Sequence, residues 1–274
     1  MKRIFLGMIA AVLATTGSSS AQRAPFNLAG VTMGHWHMNS QNVEANKKLF
    51  VALGGKAIKP GDFEIVNFPG VSVFLHQRSL TPVATGGTAG TVINHVGLLV
   101  HNVQEAATRW KAAGVPVEFG KDPLLGKERT DQAWITTVDG LRVELLEDKA
   151  QTVPVRHHHV HFYVAEAAIP AIQAWYVKHF GAVAGMRGRD QAADLPGVNL
   201  TFTKSDTPTI PTRGRVLDHI GFDIKDLDAF AKKLEAAGVK LTRAVERRPD
   251  GSALAFTQDE WGTSIELNER PNPL

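Results

Sequence analysis

The chain has 274 residues, 43% of them hydrophobic and 21% charged. That is an ordinary globular composition, with length for one large domain or two medium ones. The 30 Lys and Arg stand against 27 Asp and Glu, a formal net charge of +3, and the basic residues form no run or stripe of the kind that binds nucleic acid. There is no cysteine, so disulfides and thiolate sites are excluded and any metal must use His, Asp or Glu.

The first residues are expected to lie outside the fold. Lys2 and Arg3 precede the apolar run Ile4 to Thr15, and a polar patch ends in Ser19-Ser20-Ala21. This is the order of a secretory signal peptide, residues 1–21, with Gln22 left first after cleavage. The run is shorter than the ~20 apolar residues a bilayer span requires. The mature chain is therefore expected in the periplasm or outside the cell, with no membrane attachment.

Four hydrophobic runs then begin at a histidine. They are Gly34-His35-Trp36-His37-Met38, Asn94-His95-Val96-Gly97-Leu98, the cluster Arg156-His157-His158-His159-Val160-His161-Phe162, and Asp218-His219-Ile220-Gly221-Phe222. The leading histidines His35, His95, His159 and His219 recur about every 60 residues, the signature of an internal repeat. Each run is followed by an amphipathic helix that ends at glycine. Asn42 can cap the first (Val43, Leu49, Leu53, then Gly54), Asn102 the second (Val103, Ala106, Trp110, then Gly114), and Asp226 the fourth (Leu227, Phe230, Leu234, then Gly238). The third carries Ile169, Ile172, Tyr176 and Phe180 before Gly181, with three extra residues near Ala165 to Pro170. Spacings of three and four place these apolar side chains on one face, and the glycine supplies a C-cap.

Short β-like runs follow each helix, and the last of each begins just after Gly70, Gly140, Gly197 or Gly262. The repeated unit is thus β-α-β-β-β, an α+β fold. Thr81 to Gly90, Lys149 to Pro154 and Thr207 to Arg215 read as linkers. Lys121 to Gln132 and Arg187 to Pro196 read as polar loops able to line a pocket mouth.

In the second and fourth units a glutamate stands four residues after the glycine, Glu144 and Glu266. The first unit has Phe74 at that place and the third Thr201. Both glutamates sit in hydrophobic strands, where an isolated carboxylate is costly to bury. A metal removes that cost. Grouped by halves of the chain, the candidate ligands are His35, His95 and Glu144, then His159, His219 and Glu266. Two imidazoles and a carboxylate form the facial triad of non-haem iron oxygenases, so the expected cofactor is a divalent ion, Fe(II) first, with Mn(II), Zn(II) and Ni(II) as alternatives. Strand alternation sends His37 the same way as His35, and His161 the same way as His159. His37 and His161 are the candidates for acid–base or substrate-orienting work.

With His95-Val96-Gly97, His219-Ile220-Gly221-Phe222 and Trp261-Gly262-Thr263-Ser264-Ile265-Glu266-Leu267 in place, the chain resembles the vicinal oxygen chelate superfamily. That group includes glyoxalase I, extradiol dioxygenases and bleomycin-resistance proteins. The resemblance implies four βαβββ units forming two modules with cupped mixed sheets, residues 28–150 and 155–270, each cup enclosing a metal that chelates a small substrate through neighbouring oxygens. Glyoxalase I resembles this layout but uses a further carboxylate where Phe74 and Thr201 stand, which disfavours that activity. Extradiol enzymes add a histidine before the second ligand and a tyrosine before the glutamate, and neither is found here. The leading expectation is an exported, metal-dependent, dioxygenase-type enzyme acting on a small molecule. The alternatives are a lyase or isomerase of the same superfamily, or a metal-free ligand-binding protein with Trp36, Trp134 and Trp261 lining its pocket. No glycine-rich loop has the context of a nucleotide site.

Overall fold

The computed structural model describes residues 23–77, 87–122 and 124–271. The proposed signal peptide and most of the first linker lie outside the described residues.

Four β-α-β-β-β units follow one another. Unit one contains β1 (Val31–Asn39), α1 (Val43–Ala52), β2 (Lys56–Ile58), β3 (Glu64–Phe68) and β4 (Val71–His76). Unit two contains β5 (Ile93–Val100), α2 (Val103–Ala112), β6 (Val117–Lys121), β7 (Glu128–Thr136) and β8 (Arg142–Glu147). Unit three contains β9 (Val155–Val164), α3 (Ile169–Phe180), β10 (Val183–Arg187), β11 (Asp190–Leu195) and β12 (Val198–Lys204). Unit four contains β13 (Leu217–Ile224), α4 (Leu227–Ala236), β14 (Leu241–Arg247), β15 (Ala253–Gln258) and β16 (Ser264–Glu269).

The local signals act as their chemistry predicts. Asn42, Asn102 and Asp226 each accept a hydrogen bond from the backbone N–H three residues on, satisfying a donor that the first helical turn leaves open. Helix α3 has no such cap and is entered through a 3-10 turn, Glu166–Ala168, which uses the extra residues of that unit. The segment from 187 to 196, expected as a loop, is mostly strand: β10 and β11 form a hairpin at the sheet edge. Part of the expected loop from 121 to 132 likewise belongs to β7. Both were obscured because the strands at and next to the sheet edges are largely polar and half exposed, with no clean alternation.

The units assemble into two 8-stranded mixed sheets, in the orders β14-β15-β16-β13-β1-β4-β3-β2 and β10-β11-β12-β9-β5-β8-β7-β6. Unit one therefore shares a sheet with unit four, and unit two with unit three. In each sheet two units meet through antiparallel central strands, β1 with β13 and β5 with β9. The short segment between β8 and β9 stays within one sheet. The longer connections cross between sheets and meet at a bridge from Thr91 to Ile210.

Alternation gives each central strand two different faces. Trp36 and Met38 of β1, Val160 and Phe162 of β9, and Ile220 and Phe222 of β13 enter the common hydrophobic core. The helices pack on that side too: Phe180 of α3 meets Phe222 of β13 and Phe230 of α4. His35, His37 and His219 in one sheet, and His95, His159 and His161 in the other, occupy the opposite face. Trp36, which the metal-free alternative puts in a ligand pocket, is instead fully buried core.

Candidate metal centres

The sheet registers place the donors. His35 of β1 lies opposite Gly221 of β13, and Gly221 lies beside Glu266 of β16. Strands are spaced about 4.8 Å apart, so His35 must reach across a whole strand to touch Glu266. Glycine makes this possible: a Cβ on Gly221 would stand 2.0 Å from the His35 ring. The other sheet repeats the device with His159, Gly97 and Glu144, where a Cβ on Gly97 would stand 1.9 Å from the His159 ring.

The outcome is two buried clusters, His35, His37, His219 and Glu266 in one sheet and His95, His159, His161 and Glu144 in the other. Within each, one ligand atom per residue lies within 4.8 Å of every other. All eight predicted site residues are therefore brought into clusters, but the grouping by halves of the chain is corrected. His35 does not share a site with His95 and Glu144; it joins His219 and Glu266. His159 joins His95 and Glu144. The repeat shows which residues are equivalent and not which units share a sheet, so both pairings fit the sequence.

In the first cluster, His219 Nε2 and His35 Nε2 converge on the same Glu266 oxygen, at 2.8 and 3.2 Å. His219 Nδ1 lies 2.6 Å from Asp218, and Asp218 is itself held by Asn39 and the Gly214 N–H. Burial opposes charge on His219, but its bonds with Asp218 and Glu266 outweigh that and raise its pKa. Burial likewise opposes ionisation of Glu266, yet His219 and His35 hold its carboxyl well below the usual range. Burial lowers the pKa of His35 and His37. His37 stacks on His219 with ring centres 4.4 Å apart, and Phe74 and Phe256 wall the cluster.

The second cluster has the same skeleton with different surroundings. His159 and His95 Nε2 stand 3.1 and 3.6 Å from one Glu144 oxygen. Arg187 donates to that same oxygen at 3.0 Å, and Gln132 donates to the other. His95 Nδ1 contacts Asn94, a neutral residue, which also accepts from Arg142. Burial opposes ionisation of Glu144, but the histidines hold its carboxyl far below its ordinary value. His161 is lowered to about 2, first by burial and then by His95 and Arg187; it lies 2.7 Å from the Thr203 hydroxyl. Tyr163 stacks on His161.

A divalent ion fits this donor chemistry. Ligand atoms about 2.1 Å from one ion stand roughly 3 Å apart at right angles, close to the spacings observed. Buried neutral imidazoles aimed at a carboxylate oxygen present lone pair to lone pair unless a proton or cation lies between. His95 Nε2 and His159 Nε2 are buried with no hydrogen-bond partner, as is His35 Nδ1. Asp218 behind His219 is the carboxylate–histidine arrangement that orients and strengthens a metal ligand.

Sequence reasoning gives Asp218, Asn94 and Tyr163 no role, and it places Gln132 and Arg187 only in segments at a pocket mouth, not beside Glu144. The Asp-His and Asn-His pairs at 218–219 and 94–95 were a usable signal for the first two. A cavity of about 930 Å³ lies beside the second cluster, lined in part by Arg23, Arg156, His157, His158 and Arg187. It does not sit over either group of ligands, so the donor chemistry and not cavity size locates the candidate sites.

The profile of the Glyoxalase/Bleomycin resistance protein/Dioxygenase superfamily matches residues 156–267. Glyoxalase I from Zea mays is 16% identical over 87% of this chain and 92% of its own, with a TM-score of 0.68. Its V278E variant gives 18% identity over the same shares and a TM-score of 0.69. A protein from Bacillus subtilis subsp. subtilis strain 168, named "putative dioxygenase", is 13% identical over 92% of this chain and 87% of its own, with a TM-score of 0.63. No curated protein matches by sequence. At these identities the structural likenesses establish the fold. Residues 156–267 thus carry the sequence signature of the Glyoxalase/Bleomycin resistance protein/Dioxygenase superfamily, and the chain has the four-unit vicinal oxygen chelate fold.

Proposed function

We propose that this chain is a divalent-metal-dependent enzyme acting on a small oxygenated substrate, with His35, His219 and Glu266 as the principal ligands. Dioxygenase-type chemistry on a phenolic or enolisable compound is the leading reaction class. The convergence of two buried imidazoles on one Glu266 oxygen, with Asp218 behind His219, carries this reading. A bound ion, Fe(II) first, would supply Lewis acidity and open positions for two neighbouring substrate oxygens.

The chain's own residues supply the rest. His37 lies against His219, and burial favours its neutral form, so its role is to accept a proton from a substrate hydroxyl. Phe74 and Phe256 limit water around the ligands. The same base suits abstraction of a carbon-bound proton, which favours a lyase or isomerase as the second reading.

Metal analysis of protein from its native compartment, with oxygen uptake measured on a panel of catechols and enols, tests the proposal. Iron with oxygen uptake is expected, and Glu266→Gln should lower both metal affinity and activity more than about 100-fold, beyond the usual effect of losing an outer partner. Zinc, nickel or manganese without oxygen uptake would favour the second reading. Unchanged metal content in Glu266→Gln would contradict the ligand assignment, and full ligand affinity after metal removal would favour a binding protein.

Export to the periplasm or beyond the cell belongs to the same proposal and rests on the pattern of residues 1–21. N-terminal sequencing should find Gln22 first; an intact Met1 would contradict it.

A further inference from the structure

Arg187 reaches the second cluster from the end of β10. Its guanidinium donates to the Glu144 oxygen on which His95 and His159 converge, and it also approaches Thr201 and His161, at 3.4 and 3.5 Å. Among the described residues the first cluster has no counterpart. Ile58 of β2 pairs with Ile65, which pairs with Phe74. In unit three, Gly185 pairs with Ala192, which pairs with Thr201. Arg187 lies two residues beyond Gly185, whereas β2 stops at Ile58 and Pro60 holds the equivalent place. Arginines near the first cluster are engaged elsewhere: Arg23 and Arg270 both stand against Asp223, at 3.4 and 3.5 Å.

A guanidinium cannot lose its charge in a protein. At Glu144 it takes the position and the charge balance that a metal ion needs, and a like charge a few ångströms from a divalent ion opposes binding. Asn94, in place of Asp218, removes the carboxylate that supports the other centre. The structure assigns Arg187 as a built-in competitor for metal at the second cluster, so that the chain has one tight metal centre, at His35, His219 and Glu266, and one weak one. This rests on the proposed metal-dependent function and adds a division of labour between its two sites.

Mn(II) titration of the full chain, read by loss of the free-ion electron paramagnetic resonance signal, separates these ideas. Wild type should bind one tight equivalent and a second at least about tenfold weaker, and Glu266→Gln should abolish the tight one. Arg187→Met removes the charge and keeps a long side chain. It should tighten the weak equivalent at least about tenfold and leave the tight one unchanged. Arg187→Lys keeps the charge and should stay near wild type, which distinguishes competition from a change in folding. Two equal wild-type equivalents, an unaltered weak site in Arg187→Met, or loss of the tight equivalent in Glu144→Gln would overturn the assignment while leaving metal binding intact. Failure of wild type to bind Mn(II) at either cluster would overturn the metal reading itself.

Discussion

The two clusters share one backbone plan and differ in charge. Each places a histidine across a glycine onto a glutamate, and each has a second histidine two residues further along the same strand. Around Glu266 the support is anionic, through Asp218. Around Glu144 it is neutral or cationic, through Asn94, Gln132, Arg142 and Arg187. The repeat thus specifies where the candidate ligands stand, and on the proposed reading their neighbours set how strongly an ion would be held. An apparently duplicated site need not be a duplicated activity.

The most damaging way to probe the comparison is to close the gap that both clusters depend on. Gly221→Ala would drive a methyl group into the His35 ring, 2.0 Å away where ordinary contact needs more than 3 Å. The ring must leave Glu266, and metal affinity at the first cluster should fall about 100-fold or more, as expected for a displaced ligand. The second cluster should not change. Calorimetric titration with Zn(II) gives both affinities, and an unaltered first site would break the proposed reach across β13.

A gentler change converts one environment into the other. Asp218→Asn gives His219 the kind of partner that His95 has. Metal affinity at the first cluster should drop about 10- to 100-fold, the usual consequence of losing an outer carboxylate, with the fold retained because Asn39 and Gly214 can still bond the amide oxygen. No loss in the same titration would show that the contrast between Asp218 and Asn94 is without consequence.

A test that leaves both ligand sets untouched concerns the metal-free protein in acid. His157, outside both ligand sets, is lowered to about 3, first by burial, although its bond to the Gly197 carbonyl opposes the shift. Its neighbour His158 is lowered to about 4, again first by burial and then by Arg187 and Arg156. The unfolded chain protonates such groups near pH 6.5, while the folded chain stays neutral there. Their contribution is therefore present above about pH 6.5 and is lost as pH falls towards the folded values, on the order of 1 kcal/mol per pH unit for each group. Thermal melts at pH 7 and 5 should show this loss, and His157→Gln should make it shallower. Parallel profiles would contradict the assignment.

Much of this was visible in the residues. Asn42, Asn102 and Asp226 marked three helix starts, the recurring histidine strands marked the four units, and Glu144 and Glu266 stood out as carboxylates in apolar strands. The pairing of units was not visible, because His35 is equally compatible with a glutamate from unit two or unit four. The two His-x-Gly motifs did hold half the answer: Gly97 and Gly221 each require a ring from a neighbouring strand. Arg187 was hidden for another reason. Strand β10 lies at an edge and is mostly exposed, so its sequence lacks the alternation that identifies a strand. Its contact with Glu144 is made only when units two and three share a sheet.

The most direct test is anomalous diffraction from crystals grown with a divalent metal. The strongest peak should lie among His35 Nε2, His219 Nε2 and a Glu266 oxygen, joining units one and four, with a weaker peak or none at Glu144. A well-ordered ion elsewhere, with both clusters empty at saturating metal, would contradict the account.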